Sequence, residues 1–313
     1  MRGEIENHSI TAVRGVRVGH AQHARGRTGC TVLLGPFRAA CDVRGLATGT
    51  REIDTLSPTH LVPRVDAVLL TGGSALGLGA ADGVIRWIAA EGGGFDTGIT
   101  RVPIVPAAVI FDLTSERDAP DADVGYAACE AASPAPVAEG RVGAGTGATI
   151  GKIRGRDRAD PGGIGTFAMR AGNYTVGALA VVNSLGDVID FDGSIIAGAR
   201  DDEGNFIDTL QTVSAGLDTF MPPRTANTTL AAVATDAPLT RIALRQLAHA
   251  AACAIGRRIA PANTVFDGDV VFALSTSTSP RDAEPAELLM LGAVAQIALE
   301  HAILRAAQPR PMQ

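Results

Sequence analysis

A polar, proline-containing loop (Met221-Pro222-Pro223-Arg224) runs into Asn227-Thr228-Thr229, and a short apolar strand, Leu230 to Ala234, follows at once. No other stretch constrains the chain so tightly. It calls for a buried strand headed by a hydroxyl residue and preceded by an exposed loop. That is the layout an N-terminal nucleophile needs. If the Asn227–Thr228 bond is cut, Thr228 gains a free amine beside its own hydroxyl, and that amine can act as the hydroxyl's base. The plain alternative is that Thr228 and Thr229 are ordinary strand residues, since Thr is a good strand former. Asn-Thr-Thr alone is a weak motif, so the choice rests on what the other residues supply.

They supply an aliphatic core. A chain of 313 residues fits one large domain or two. Of its residues 46% are apolar but only 4% aromatic, so Ala, Val, Leu and Ile must fill the interior. The net charge is −6, with Asp, Glu and Arg interspersed and no basic stripe, which argues against nucleic acid as a partner. Met1 to Ser9 carries Arg2, Glu4, Glu6 and His8, and no apolar run approaches the roughly 18 residues of a membrane span. The expectation is a cytoplasmic protein with no membrane partner. Cys30, Cys41, Cys129 and Cys253 show no C-x-x-C spacing and read as reduced, small apolar residues. Among 27 basic residues Lys152 is the one lysine. Arg cannot replace Lys where a compact ammonium or a shiftable pKa is required.

The pattern along the chain predicts short strands at Ile10 to Val13, Val16 to His20, Cys30 to Leu34 and Ala39 to Val43. Val65 to Leu70 reads as a strand, Thr71-Gly-Gly-Ser74 as a turn and Ala75 to Glu91 as a helix whose N-terminus could hold an anion. A strand over Val102 to Phe111 and a helix over Asp123 to Ala132 follow. Tyr174 to Val182 predicts a strand that turns at Asn183 to Gly186 and pairs with Val188 to Asp192. Residues 200–226 read as loop, Leu239 to Arg257 as helix, Thr264 to Leu274 as strand and Glu284 to Ala307 as a long amphipathic helix. With no repeat and no linker, the whole chain (1–313) is expected to form one structural unit, a layered α/β fold with mixed sheets.

Several groups could carry chemistry. The Gly-rich run Val142 to Lys152 fails as a phosphate loop, because Thr146 and Ile153 stand where that motif needs Gly and Ser or Thr. A lone ammonium closing such a run is still a candidate buried functional group. Gly72-Gly73-Ser74-Ala75-Leu76 lacks the last Gly of a nucleophile elbow. His20 and His23 have no third partner in the sequence, so no metal is called for. Asp267-Gly268-Asp269 places two carboxylates on one face of a strand. Unless it is simply a turn, for which Asp-Gly is a signal, such a pair needs donors or shifted pKa values. Asn183 is either a turn residue or a neutral donor for an oxyanion.

Together these residues resemble the DmpA-type aminopeptidases, self-processing N-terminal-nucleophile amide hydrolases. The resemblance runs through Gly15-Val-Arg-Val-Gly-His20, Asp42-Val-Arg-Gly45, Gly49-Thr-Arg-Glu52, Leu70-Thr-Gly-Gly-Ser-Ala75, Val142-Gly-Ala-Gly-Thr-Gly147, Asn227-Thr-Thr-Leu230 and Asp267-Gly-Asp-Val-Val-Phe-Ala-Leu-Ser-Thr276. The peptidase branch has Ser as nucleophile. The Thr here resembles the endo-type 6-aminohexanoate oligomer hydrolases, whose nucleophile Thr, Lys, Asn and two Asp match Thr228, Lys152, Asn183, Asp267 and Asp269. The resemblance implies a four-layer αββα sandwich of the kind shared with ornithine acetyltransferases. It implies self-cleavage at Asn227-Thr228 into an α fragment (1–227) and a β fragment (228–313) that stay together, often in a homo-oligomer of four copies. It implies a small amide or peptide substrate and no cofactor. Acyl transfer to an amine, or a non-catalytic homologue, is the alternative it leaves open.

Overall fold

The computed structural model describes residues 7–216 and 227–307. The loop Met221 to Arg224 therefore lies outside the described residues. One nine-stranded sheet path organises them. Its strands are β1 (Arg17–Gln22), β2 (Gly29–Val43), β3 (Thr50–Arg51), β4 (Val65–Thr71), β5 (Ala107–Val109), β6 (Gly163–Ala171), β7 (Tyr174–Asn183), β8 (Thr228–Thr235) and β9 (Val270–Ser275). The order is β6-β7-β8-β9-β2-β4-β5-β3, with β1 on the free side of β2. Only β8–β9 and β4–β5 are parallel.

The path is two sheets joined by one bent strand. β2 takes in both predicted runs, Cys30 to Leu34 and Ala39 to Val43, and its register breaks between Leu34 and Phe37, at Gly35-Pro36. Before the break it pairs with β1 and β4; after it, one further pair with β4, Phe37–Val65, gives way to pairing with β9. Pro has no N–H to give a ladder, so the pairing changes there.

Three apolar cores make this a four-layer αββα sandwich. Between the sheets, Leu33, Phe37 and Leu70 meet Leu179, Leu230 and Phe272. Outside one sheet, Ala231, Val233 and Val271 pack on α4 (Arg241–Arg258) and α5 (Pro285–Ala307) through Leu244, Leu247, Leu299 and Ile303. Outside the other, Val32 and Leu69 meet α1 (Ala80–Ala90) and α2 (Ala122–Glu130) through Val84 and Ala128. Successive residues of β8 thus face different cores, which is why Leu230 to Ala234 is uninterruptedly apolar. Few aromatics are needed because backbones approach closely. A Cβ on Gly83 would lie 1.7 Å from Ala122 O, and one on Gly125 1.9 Å from Ala80 O, so α1 and α2 touch through glycines. α5 is long and apolar enough to cross a membrane by length and composition. Here it is a core helix, with Leu299 and Ile303 in the outer core and Glu300 paired to Arg257 and Arg258.

Several sequence expectations shift. Ile10–Ala12 is a 3-10 turn, not a strand. Pro103 and Pro106 confine the strand expected over Val102 to Phe111 to β5. The partner of β7 in its hairpin is β6, not Val188 to Asp192. Asp187–Ile189 instead pairs with Ile195–Ala197 and Ile259–Ala260. Residues 209–214, expected as loop, form α3 (Thr209–Ser214), capped by Asp208 and anchored by the buried Asp187 carboxylate, which accepts from Thr209 N and Oγ1. The segment Thr264 to Asp269 is a turn and lead-in, and the strand starts only at Val270.

Phe272 is fully buried between the sheets. Phe272→Ala is expected to cost about 3–5 kcal/mol of stability, read from denaturant midpoints. Leu61→Ala, at a side chain 85% exposed, should stay within about 0.5 kcal/mol. Equal effects at the two positions would contradict this core.

Candidate active site

Thr228 is the first residue of β8, and Asn183, the last of β7, is its register partner. The other neighbour of this strand end is the approach to β9. There Asn227 N donates to Phe266 O at 2.7 Å, and Gly268 N donates to Asn227 O at 2.8 Å. The fold therefore brings together Thr228, Asn183 and the Asp267–Asp269 segment at one end of two adjacent strands. All are almost completely buried.

Lys152 joins them from the Gly-rich run. Its Nζ donates to Asn183 Oδ1 and Asn183 O, each at 2.8 Å, and to Thr149 O at 3.0 Å. Its own N–H is tied to Leu185 O at 3.0 Å. Burial, aided by the Arg156 charge, holds the amine well below its ordinary 10.5, against the pull of Asp267 and Asp112. A neutral Lys152 has two N–H donors to share among these three acceptors, and a lone pair that can take a proton. Asn183 Oδ1 also accepts from Thr149 N, while Asn183 Nδ2 donates to Phe111 O at 3.2 Å.

The two aspartates work differently. Asp269 Oδ1 accepts from Thr229 N at 2.5 Å and its Oδ2 from Asn263 N at 3.2 Å. It thus fixes the backbone one residue beyond Thr228. Burial, then the Asp267 charge, pushes its carboxyl up to about 8. Asp267 Oδ2 closes a turn by accepting from Thr264 N and Oγ1, and burial raises its pKa as well. The expected same-face placement within a strand does not hold: the turn lies before the Asp-Gly pair and ends at Asp267, and both carboxylates precede the strand that starts at Val270.

Sequence reasoning named these side chains and missed the backbone groups between them. Asn227 O accepts from Gly268 N and from Thr228 Oγ1, the latter at 2.5 Å. Gly268 can take this place because it has no side chain: a Cβ there would lie 2.5 Å from Ala47 O. The loop at Arg44 to Ala47 braces the segment from outside, with Ala47 N on Asp267 O and Arg44 N on Asp269 O. Gly45 in this loop has φ +79, and a Cβ on it would meet Asp267 O at 2.1 Å. The signal available in the sequence was the glycine between two aspartates.

Two other candidates are structural. The Gly73 amide in the turn after β4 is occupied by the protein's own Asp112 carboxylate, at 2.6 Å. α1 begins later than expected, at Ala80, after a 3-10 segment from Ser74 to Gly79. His20 Nδ1 pairs with Thr31 Oγ1 at 2.9 Å, and burial pushes its pKa down to about 4, as for a neutral core histidine.

The model of peptidase family S58 matches residues 8–308. The chain belongs to peptidase family S58. It is 42% identical to an uncharacterised aminopeptidase of Mycobacterium tuberculosis, over 95% of this chain and 92% of that one. It is 33% identical to a 6-aminohexanoate-oligomer endohydrolase of Kocuria sp. (strain KY2), over 94% of this chain and 84% of that one. Among solved structures it is similar to a Burkholderia sp. beta-aminopeptidase, with TM-score 0.72 and 22% identity, covering 98% of this chain and 87% of that one. The l-aminopeptidase d-ala-esterase/amidase of Ochrobactrum anthropi, described as a variant of the Ntn hydrolase fold, gives TM-score 0.71 and 20% identity over the same shares. As a member of this family the chain is an amide or peptide hydrolase, and its likeness to the Ntn hydrolase structure is one of fold. The acyltransferase alternative is not favoured, since these relatives are named as aminopeptidases and an oligomer hydrolase.

Asp269→Ala removes the acceptor of two amide N–H groups and should cost about 1–3 kcal/mol for each one left buried. Asp269→Asn, which keeps an acceptor oxygen, should lose less. Chemical denaturation of both variants measures this; equal stability of Asp269→Ala and the parent would contradict the anchoring role.

Proposed function

We propose that Thr228 is the nucleophile of a self-processing threonine hydrolase acting on short peptides or ω-amino acid oligomers. The observation that carries this is the contact of Thr228 Oγ1 with the Asn227 carbonyl, which the Gly268 amide holds from another direction. In processing, Oγ attacks the Asn227 carbonyl carbon while Lys152 takes the hydroxyl proton. The C–N bond breaks, Lys152 passes that proton to the Thr228 nitrogen, which becomes an amine, and Asn227 is left as an ester on Oγ. Water then hydrolyses the ester, freeing residues 1–227 from 228–313.

The same atoms serve turnover. Oγ attacks a substrate amide carbonyl, with the new Thr228 amine or Lys152 as base. The leaving amine departs with a proton, and water releases the acyl group. Asp269, one residue from the new ammonium, orients it, and Asp267 supports Lys152 electrostatically. Gly268 N–H is the donor that the uncut chain aims at the reacting carbonyl. Asn183 positions Lys152 through two oxygens, and its amide nitrogen must leave Phe111 O before it can also act as a donor.

The sheet order supports fragments that stay associated. β8 and β9 belong to 228–313 but lie between β7 and β2 of 1–227. Arg241 is buried against the carbonyls of Ser57, His60 and Val62, and Arg305 pairs with the buried Glu139. Separation would unzip the sheet on both sides. The names of the relatives support both peptide and ω-amino amide substrates, and a panel of α-, β- and ω-amino amides decides between them.

Intact mass of the purified protein should show two co-eluting fragments cut before Thr228. Thr228→Ala should leave one chain of 32.0 kDa with no amide hydrolysis. A parent chain that never cleaves, or an active Thr228→Ala, would overturn the assignment. Gly268→Ala forces the Gly268 amide or the Ala47 backbone to move. Cleavage is expected to slow by about 10²–10³-fold, the usual effect of losing an oxyanion donor. An unchanged rate in folded Gly268→Ala would remove Gly268 from the mechanism.

A further inference from the structure

The opposite end of the sheet carries three arginines whose charge neither the fold nor the proposed reaction balances. Arg38 lies on β2 opposite Ser275, Arg64 immediately precedes β4, and Arg241 opens α4. Arg38 and Arg64 both donate to Ser277 O, at 3.5 and 3.4 Å, so the two guanidiniums meet at one oxygen. Arg64 also reaches Pro36 O and Thr276 O, and Arg241 holds the carbonyls of Ser57, His60 and Val62.

Every one of these acceptors is a neutral backbone carbonyl. Four other partly or fully buried arginines are matched by acids: Arg44 by Asp42, Arg200 by Asp160, Arg258 by Glu300 and Arg305 by Glu139. Among the described residues no carboxylate pairs with Arg38, Arg64 or Arg241, in a chain with 33 acidic residues. Burial and the charges of Arg64 and Arg241 lower the pKa of Arg38, as expected where like charges gather without a counter-ion. Donor capacity is also left over. Arg38 has five N–H donors and spends one on a marginal bond. The Nε atoms of Arg64 and Arg241 are buried and without a partner. Arg38 and Arg64 are half-buried and Arg241 is buried.

We propose that Arg38, Arg64 and Arg241 form a binding site for a phosphate-type oxyanion. A tetrahedral dianion supplies the missing countercharge and accepts from planar guanidiniums in pairs. The site is remote from the chemistry. β8 runs from Thr228 to Thr235, whose carbonyl accepts from Thr276 N. At about 3.3 Å per residue its far end lies roughly 23 Å from Thr228. The site ties together β2, the end of β9 and the start of α4, and it does not depend on the proposed reaction.

The test is a titration of the full chain with inorganic phosphate and, in parallel, with glycerol phosphate. Sodium chloride keeps the ionic strength constant, and calorimetry and thermal midpoint are read. Saturable binding is expected, weakened at least tenfold in Arg38→Gln and in Arg64→Gln. Arg38→Gln gives up one marginal bond, so it keeps the fold. Tighter binding of glycerol phosphate would assign the site to an organic phosphomonoester, and tighter or equal binding of phosphate to the free ion. No saturable binding, or binding undiminished in both variants, would overturn the proposal.

Discussion

The register of the strand that begins at Thr228 is the constraint on which both the sheet and the site rest. β8 is hydrogen-bonded antiparallel to β7 and parallel to β9. That ladder puts Asn183 opposite Thr228 and lays Asp269 against Thr229 N. A slip of one residue would turn every side chain of β8 to the other face. The site is held in place because such a slip would also move Leu230 out of the core between the sheets and Val233 out of the core under α4 and α5. The geometry of the site and core packing are one requirement here.

The electrostatic arrangement follows from burial at that strand end. An amine and two carboxyls lie where water is excluded, and each charged form is costly. Lys152 is lowered and Asp269 raised, so both move toward their neutral forms. A base and a hydrogen-bonded carboxyl can thus stand in one site with little net charge. Backbone groups hold much of the rest: Gly268 N at the Asn227 carbonyl, Thr149 O at the lysine, and the loop at Arg44 to Ala47 behind the aspartates. Glycines at 45 and 268 let these backbones meet.

Much of this was legible in the sequence, for specific reasons. The apolar run Leu230 to Ala234 marked a strand buried on both faces, and the single lysine stood out in an arginine-rich chain. The αββα layers came from the family resemblance, not from periodicity. What was not legible depends on tertiary contact. Nothing local to Gly35-Pro36 says that the strand continues through it and changes partners. Asp187 decides the fate of residues 187–214 through bonds to Thr209 and Ala199, which no local pattern reveals. Asp267-Gly268-Asp269 carried competing turn and strand signals, and the chain uses the turn first and the strand after it. Side-chain roles can be read from residue types, but the Gly268 amide is the same group at every non-proline position, so only geometry singles it out.

The nucleophile is the central claim, and trapping it is the most direct measurement. The mature protein is mixed with an excess of a chromogenic amide, quenched in acid within the first turnovers and digested for peptide mass analysis. An added acyl mass is expected on the peptide that begins at Thr228. An acyl group on Lys152 or on any other residue, with the Thr228 peptide unmodified during active turnover, would contradict it.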